Sequence, residues 1–257
     1  MQSPREINAT IDFLKAAAAG DMAGLQAAYA QGAAVNRSGK DGQTALLLAG
    51  QHGDANMLAY LFSIGADARA QDAQGNDALM KTISGGHTPA AQICLKQPFN
   101  LAATNVSGLT AFAHAALHGM SDVMDDMVAK GANHNLISSD GRTPLIHAAA
   151  QGKLKTVDKI FTFDSVAINA QDKEGQTALM TALMGGHRET AARLLIEGAR
   201  PDISDKRGRD VMFYARQWGL EDEIREAFRR YDVTQITQGA RHEINVLKPI
   251  NIRRRPH

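Results

Sequence analysis

Short apolar segments alternate with polar, glycine-containing turns along most of the chain, and one short sequence occurs twice in nearly the same form. DGQTALLLAGQHG covers residues 41–53, and EGQTALMTALMGGH covers residues 174–187. Each phrase is followed by a second apolar segment with paired large residues, such as Leu61 and Phe62. Segments of this length and composition predict pairs of short helices joined by tight turns, and therefore an all-α fold.

The phrase recurs in register when the chain is aligned on the residue that precedes each apolar segment. Successive copies are separated by 33, 33, 33, 34 and 33 residues, with a glycine two residues before and another nine residues after each aligned position. Agreement at three positions in six units predicts a repeat architecture. The aligned residues are Thr44, Asp77, Thr110, Thr143, Thr177 and Asp210.

Each recurring position has a local physical role. The leading glycine suits a tight turn that requires positive φ. The Thr that follows it is an N-cap whose oxygen accepts a free helix N–H, and Asp77 and Asp210 keep that role. Gly53 and its equivalents end the first helix. A second helix ends at segments such as GAD at 65–67, and an extended finger leads to the next turn.

This order of turn, helix, loop, helix and finger resembles the ankyrin repeat. The segment GRTPLIHAAAQG at 141–152 is similar to the T-P-L-H-x-A signature of that family, with the histidine displaced by one position to His147. The resemblance covers Ile11 to about Tyr231 and implies an all-α ankyrin-repeat solenoid whose modules bury their apolar faces against one another.

We expect about seven helix-turn-helix modules with hairpin-like fingers in one domain, residues 1–231, the last module being degenerate. A C-terminal extended tail should follow at 232–257. Its net charge of +3 includes three consecutive arginines, which favour a solvated end over a nucleic-acid patch. The module bounds are about 8–38, 39–71, 72–104, 105–137, 138–171, 172–204 and 205–231.

Two departures from the repeat lie after second helices. Pro98 and Phe99 replace the usual Gly-Ala, and one extra residue lies near Asp164. We expect both to bend or lengthen a loop without breaking the stack, either as drifted loop sequence or as a local recognition feature.

Composition restricts the class of protein further. The net charge of +1 does not identify the class of partner, and we expect that the partner is not a nucleic acid. Cys94 is the only cysteine, so no intrachain disulfide is possible, and no apolar run approaches the length of a membrane span. The first residues lack a signal-peptide core, but a leader could have been removed. The compartment is periplasmic in that case and cytoplasmic otherwise, and a monomer is expected.

The residues with reactive side chains do not form a familiar catalytic pattern. His114 and His118 share a helix face at i, i+4, and His147 follows one repeat later, but no H-E-x-x-H is present. Histidines that hydrogen-bond between repeats are favoured over a metal site. Cys94 falls where a packed thiol is expected. We therefore predict no enzyme, no catalytic residue, no metal and no cofactor. Two glycosylation sequons, at Asn8 and Asn105, are of the kind that occurs by chance.

The resemblance implies that fingers and first helices form a concave face that binds a protein partner. Residues carried onto this face include unusually large apolar side chains and a group of late basic ones. Trp218 has a competing interpretation, burial beneath the tail. The predicted partner-binding residues are Leu109, His114, Leu117, His118, Arg142, His147, Lys173, Met184, Lys206, Arg207, Arg209, Tyr214 and Trp218.

The leading functional hypothesis is a non-catalytic module that binds one partner protein. The alanine-rich repeats resemble bacterial ankyrin proteins, some of which restrain an enzyme of the same cell, such as a cell-wall hydrolase, for self-protection. A scaffold or secreted effector that bridges two host proteins is the alternative, and a metal protein is the least favoured hypothesis.

Overall fold

The computed structural model describes residues 3–226 and residue 229. Over those residues the chain is helical and contains no strand, and one isolated β-bridge joins Thr104 and Thr110. The predicted all-α class is therefore confirmed. None of the described helices combines the length and the apolar character that a membrane span requires. The tail predicted at 232–257 lies outside the described residues, and the predicted module bounds stay predictions.

The chain divides into two compact units, Met1–Asp140 and Gly141–His257. The first unit also contains two 3-10 turns, Lys40–Gly42 and Ser121–Val123. Its helices are α1 (Pro4–Ala19), α2 (Met22–Ala30), α3 (Ala45–His52), α4 (Ala55–Ser63), α5 (Ala78–Ser84), α6 (Thr88–Leu95), α7 (Ala111–His118) and α8 (Met124–Ala129). The second unit contains α9 (Pro144–Ala150), α10 (Leu154–Ile160), α11 (Ala178–Met184), α12 (Arg188–Ile196) and α13 (Val211–Arg216), with residues 221–226 also helical.

The first helix of each repeat begins where the sequence predicts. The side chain of Thr44 accepts the backbone N–H of Leu47, and that of Asp77 accepts the N–H of Met80. The same bond forms at Thr110, Thr143, Thr177 and Asp210. All six aligned residues are thus N-caps, which satisfy an N–H that the helix itself leaves free.

Within each unit, first helices stack on first helices and second helices on second helices. In the first unit α3 packs on α5 and α5 on α7; in the second unit α9 packs on α11 and α11 on α13. Small side chains allow close approach, since a Cβ at Gly50 would lie 3.0 Å from the carbonyl oxygen of Ala78. Neighbouring helices therefore supply the core, as predicted for modules that cannot bury an apolar face alone.

Helix α13, the first helix of the last repeat, differs from its equivalents in which side chains are buried. Three residues after the N-cap, the side chain is at most 1% exposed in the five preceding repeats, but Phe213 is 40% exposed. Six residues after the N-cap, the five preceding repeats carry a buried glycine, alanine, isoleucine or leucine, whereas Arg216 is exposed. The degenerate last module thus carries a partly polar outer face.

The two departures from the repeat are absorbed in loops. Phe99 follows α6 and packs edge-on against Phe62, with ring centroids 6.3 Å apart. The extra residue lies in the loop after α10, where Ser165 has a φ of 58°. Neither departure interrupts a helix, as the sequence predicts.

Candidate functional site

In four of the fingers, a polar side chain beneath the finger closes the finger turn. It lies five residues before the N-cap, and it is Asp72 or Asn105 in the first unit and Asp172 or Asp205 in the second. In Asp205, Oδ1 accepts the backbone N–H groups of Arg207 and Arg209, both at 2.9 Å. The other three anchors accept the same two bonds. We call these four residues the finger anchors.

Anchors with a carboxylate also bind a basic or hydroxyl group through Oδ2. Asp205 accepts from the Tyr214 hydroxyl at 2.6 Å and from Arg209 at 2.7 and 2.8 Å. Burial alone would raise the pKa of Asp205, but the hydrogen bonds from Tyr214, Arg209 and the two backbone N–H groups hold it well below its usual value. Asp172 accepts from Nε of Arg142 at 3.1 Å. Arg142 and Arg209 are therefore tied to buried carboxylates.

Three of the predicted groove residues are buried, which corrects their assignment to an open surface. His114 is 7% exposed, His147 is 6% exposed and Tyr214 is 1% exposed. All three lie four residues after the N-cap, where the helix faces the finger. In that position Tyr214 bonds its anchor Asp205, and His114 lies 3.1 Å from Nδ2 of Asn105. Tyr214 and His114 therefore support their fingers through the finger anchors.

The contacts of Asn105 fix the protonation state of His114. Oδ1 of Asn105 accepts the backbone N–H groups of Ser107 and Leu109, so its Nδ2 must face Nε2 of His114. That ring nitrogen is therefore the acceptor, and Nδ1–H donates to Oγ of Ser84 at 3.1 Å. The histidine is a neutral structural link, and the amide of the Asn105 sequon is already occupied.

The first-unit residues near this link are partly accessible. His118 is exposed, and its ring stacks parallel to that of His114 with centroids 6.0 Å apart. Leu109 and Leu117 are half-buried. In the part of the chain that the structure describes, no group of three or more His, Cys, Asp or Glu side chains is placed to hold a metal ion.

The remaining predicted residues lie exposed in the second unit. Met184 and Trp218 are each 44% exposed, at the ends of α11 and just beyond α13. Lys173, Lys206 and Arg207 are exposed on the fingers. The structure therefore places apolar and basic side chains at opposite ends of the same first helices.

Trp218 reaches back onto the preceding repeat. Its ring lies over Gly186, where an added Cβ would be 2.9 Å from two ring carbons. The guanidinium of Arg188 donates to the Trp218 carbonyl oxygen at 2.6 Å. Because Gly186 lies two residues beyond Met184, the indole and the methionine share one neighbourhood at the end of α11.

The Gly186→Ala substitution is expected to displace the Trp218 ring. The new methyl group would overlap the indole, and the φ of 70° at this position adds a cost of about 1 kcal/mol for an L side chain. Trp218 is the only tryptophan, so its fluorescence should shift to longer wavelength as the ring enters water. Gly198→Ala is the matched control, since Gly198 has a φ of 93° and no atom within 4 Å of the added Cβ. Equal emission from the two variants would contradict this placement.

Two further histidines, His87 and His187, were not singled out from the sequence. Each begins a second helix, and its ring packs against the helix-ending glycine of the preceding repeat, Gly53 and Gly152 respectively. Nε2–H of His187 also donates to the carbonyl oxygen of Ala150 at 3.1 Å. The repeated Gly-His dipeptide at 86–87 and 186–187 is the signal that could have revealed them.

Comparison with known proteins finds relatives of several kinds. The chain is 27% identical over 181 residues to "Putative ankyrin repeat protein YahD" of Escherichia coli (strain K12), which covers 68% of this chain and 90% of that protein. It is 32% identical over 146 residues to "Ankyrin repeat and KH domain-containing protein mask-1" of Caenorhabditis elegans, 56% of this chain and 6% of that protein. It is 31% identical over 123 residues to "Probable 26S proteasome regulatory subunit p28" of Saccharomyces cerevisiae, 47% of this chain and 52% of that protein.

The share of each relative that the chain covers differs widely, from 90% of the Escherichia coli protein to 6% of the worm protein. The chain spans about half of the yeast protein and a small fraction of the worm protein, so the similarity concerns the repeated region. The family model for ankyrin repeats matches three overlapping copies, at residues 47–138, 112–205 and 145–229, which together cover more than half of the chain. With the helix pairs, caps and fingers described above, this shows that the chain belongs to the ankyrin-repeat family.

Proposed function

We propose that this chain is a non-catalytic module that binds one partner protein, an enzyme of the same bacterial cell, and restrains its activity. Ankyrin repeats generally mediate protein–protein interaction. The observation that carries the proposal is the 44% exposure of Met184 and Trp218 on first-helix ends, in a unit whose other first-helix residues are largely buried. Methionine and tryptophan are enriched at the centres of protein interfaces.

The reactive side chains of the described residues support a binding role. Burial raises the pKa of the Cys94 thiol to about 12, which removes the thiolate that a nucleophile requires. Both ring nitrogens of His114 are engaged, by Asn105 and Ser84. These groups contribute packing and hydrogen bonds to the stack.

An inhibitory mode fits a surface that is fixed before binding. In the second unit the fingers are held by the buried anchors Asp172 and Asp205, and adjacent fingers are joined by a backbone bond from Lys206 N–H to the Glu174 oxygen at 3.0 Å. A preformed surface loses little conformational freedom on association. The similarity to an Escherichia coli protein supports the bacterial assignment. Capture of the partner would identify the enzyme and its compartment.

The proposal is tested by capture from the organism that encodes the chain. A photo-crosslinking residue at Met184 should trap one protein, whereas the same residue at Lys155, an exposed position on α10, should not. The purified partner should lose its enzymatic activity at near-equal stoichiometry with the full chain. Trp218→Ala should weaken this inhibition by about tenfold or more, as for a central interface residue. Position-independent trapping, or full activity of the trapped partner in excess chain, would refute the proposal.

A further inference from the structure

The fingers of the second unit concentrate positive charge that is not used internally. Lys173, Lys206 and Arg207 are exposed, and no ion pair joins them to a carboxylate among the described residues. Arg142 and Arg209 differ, because buried Asp172 and Asp205 neutralise them. Internal pairing therefore accounts for two of the five basic side chains and leaves three directed at solvent.

The corresponding finger positions of the first unit carry no such excess. They are occupied by Lys40 with Asp41, by Ala73 with Gln74, by Val106 with Ser107, and by Ser139 with Asp140. In the second unit the only acidic residue at these positions is Glu174. The basic surface is thus a property of the second unit.

An apolar surface lies one helix length away from this charge. The fingers precede the N-caps, whereas Met184 and Trp218 lie at the far ends of the first helices. A seven-residue helix such as α11 is about 10 Å long. Close to the indole, exposed Arg188 adds one more guanidinium group, since it donates to the Trp218 carbonyl oxygen. A ligand that spans the helices would meet basic groups at both ends and an aromatic ring at one.

We propose that this surface binds an acidic segment of the partner protein, with carboxylates at Lys173, Lys206 and Arg207 and a large apolar side chain against Trp218 and Met184. This inference rests on the proposed function and names the chemistry that the partner presents. The exposed charges accelerate and orient association, while the apolar contact is buried and slows dissociation. Because exposed charges are screened over about 8 Å at physiological ionic strength, binding should weaken as salt is added.

The test is selection of random peptides that bind the full chain, followed by titration of the enriched peptides against Trp218 fluorescence. We expect the enriched peptides to combine several Asp or Glu residues with a large apolar residue, and the indole emission to shift to shorter wavelength on binding. The double variant Lys206→Glu/Arg207→Glu should raise the Kd by about tenfold or more. The control Lys130→Glu/Lys155→Glu changes net charge equally, at exposed positions just after α8 and on α10, and should leave the Kd unchanged.

Three results would overturn the inference. These are enriched peptides without an acidic excess, a Kd that the finger reversal does not change, and failure to enrich any peptide. None of them bears on the cross-linking test, in which a partner trapped at Met184 would still support the proposed function. Loss of cross-linking together with retained binding of acidic peptides would refute the inhibitor role alone.

Discussion

Asp205→Ala is expected to lower the free energy of unfolding by about 3 kcal/mol, because it removes the common acceptor of one finger. Asp205 accepts two backbone N–H groups, the Arg209 guanidinium and the Tyr214 hydroxyl, and its side chain is fully buried. After the substitution, the Tyr214 hydroxyl keeps only its contact with Gln176 at 3.3 Å. Urea unfolding followed by fluorescence of nearby Trp218 would measure the loss.

Two further variants separate the finger anchor from a general effect of removing an aspartate. Asp202→Ala removes a carboxylate that pairs with Arg200, and both side chains are about half exposed. This control should change stability by less than about 0.5 kcal/mol. Asp205→Asn keeps an oxygen for the two backbone N–H groups, as Asn105 does in the first unit, and should lose less than alanine. Equal losses at positions 202 and 205 would show that the finger does not depend on its anchor.

Asp77→Thr is expected to stabilise the chain in a pH-dependent way. Burial raises the pKa of this N-cap carboxyl to about 6, assisted by the charge of Asp72, although backbone N–H groups of Met80 and Leu79 oppose the shift. A shift of about two units corresponds to about 3 kcal/mol. Threonine caps four equivalent helices without a charge. Allowing for a weaker cap, we expect a gain of about 1–2 kcal/mol at pH 8.

The sign follows from which state holds the proton. Between the usual pKa of 3.8 and the folded value of about 6, the folded chain binds more protons at Asp77 than the unfolded chain. Its stability therefore falls as pH rises through this range. The advantage of the threonine variant should be fully present above pH 6 and should vanish near pH 4, as measured by urea unfolding at several pH values.

Asp210→Thr is the matched control for this prediction. Asp210 caps α13 in the same way, through the N–H of Phe213, but it is only half-buried. We expect a smaller gain there. If the two threonine variants showed the same pH profile, burial of the Asp77 carboxyl would not be the cause.

The helices and their ends were predictable because each depends on one or two neighbouring residues. Thr44 caps its own helix through an N–H three residues later. Gly75 combines a φ of 76° with a close approach to the next finger, where a Cβ would lie 3.0 Å from Cα of Asn105. Such requirements appear in the sequence as fixed residue types at a fixed spacing.

The supports of the fingers were missed because their partners are distant in sequence. Asp172 is satisfied by Arg142, thirty positions earlier, so neither residue reveals its burial by itself. Without knowledge of that contact, the sequence predicts that both are solvent-exposed finger residues. The four anchors do recur with the spacing of the N-caps, and a column of small hydrogen-bonding side chains outside any helix was the available signal.

The candidate surface was predicted only in part for a related reason. Helical periodicity places His114 and Tyr214 on the open side of their helices, but the finger folds over that side and covers them. Positions seven and eight residues after the N-cap lie beyond the reach of the finger. Met184 and Trp218 occupy those positions and stay exposed.

Arg216 bears on how such a chain avoids self-assembly. The last described module presents on α13 the surface that each earlier module offers to its neighbour, so copies could in principle add end to end through this surface into a filament. A copy docking on α13 would have to strip water from the Arg216 guanidinium, where the earlier repeats place small or apolar side chains. Removing an ion from water without a partner costs several kcal/mol. The charge of Arg216, six residues after the N-cap, therefore disfavours the growth of a filament.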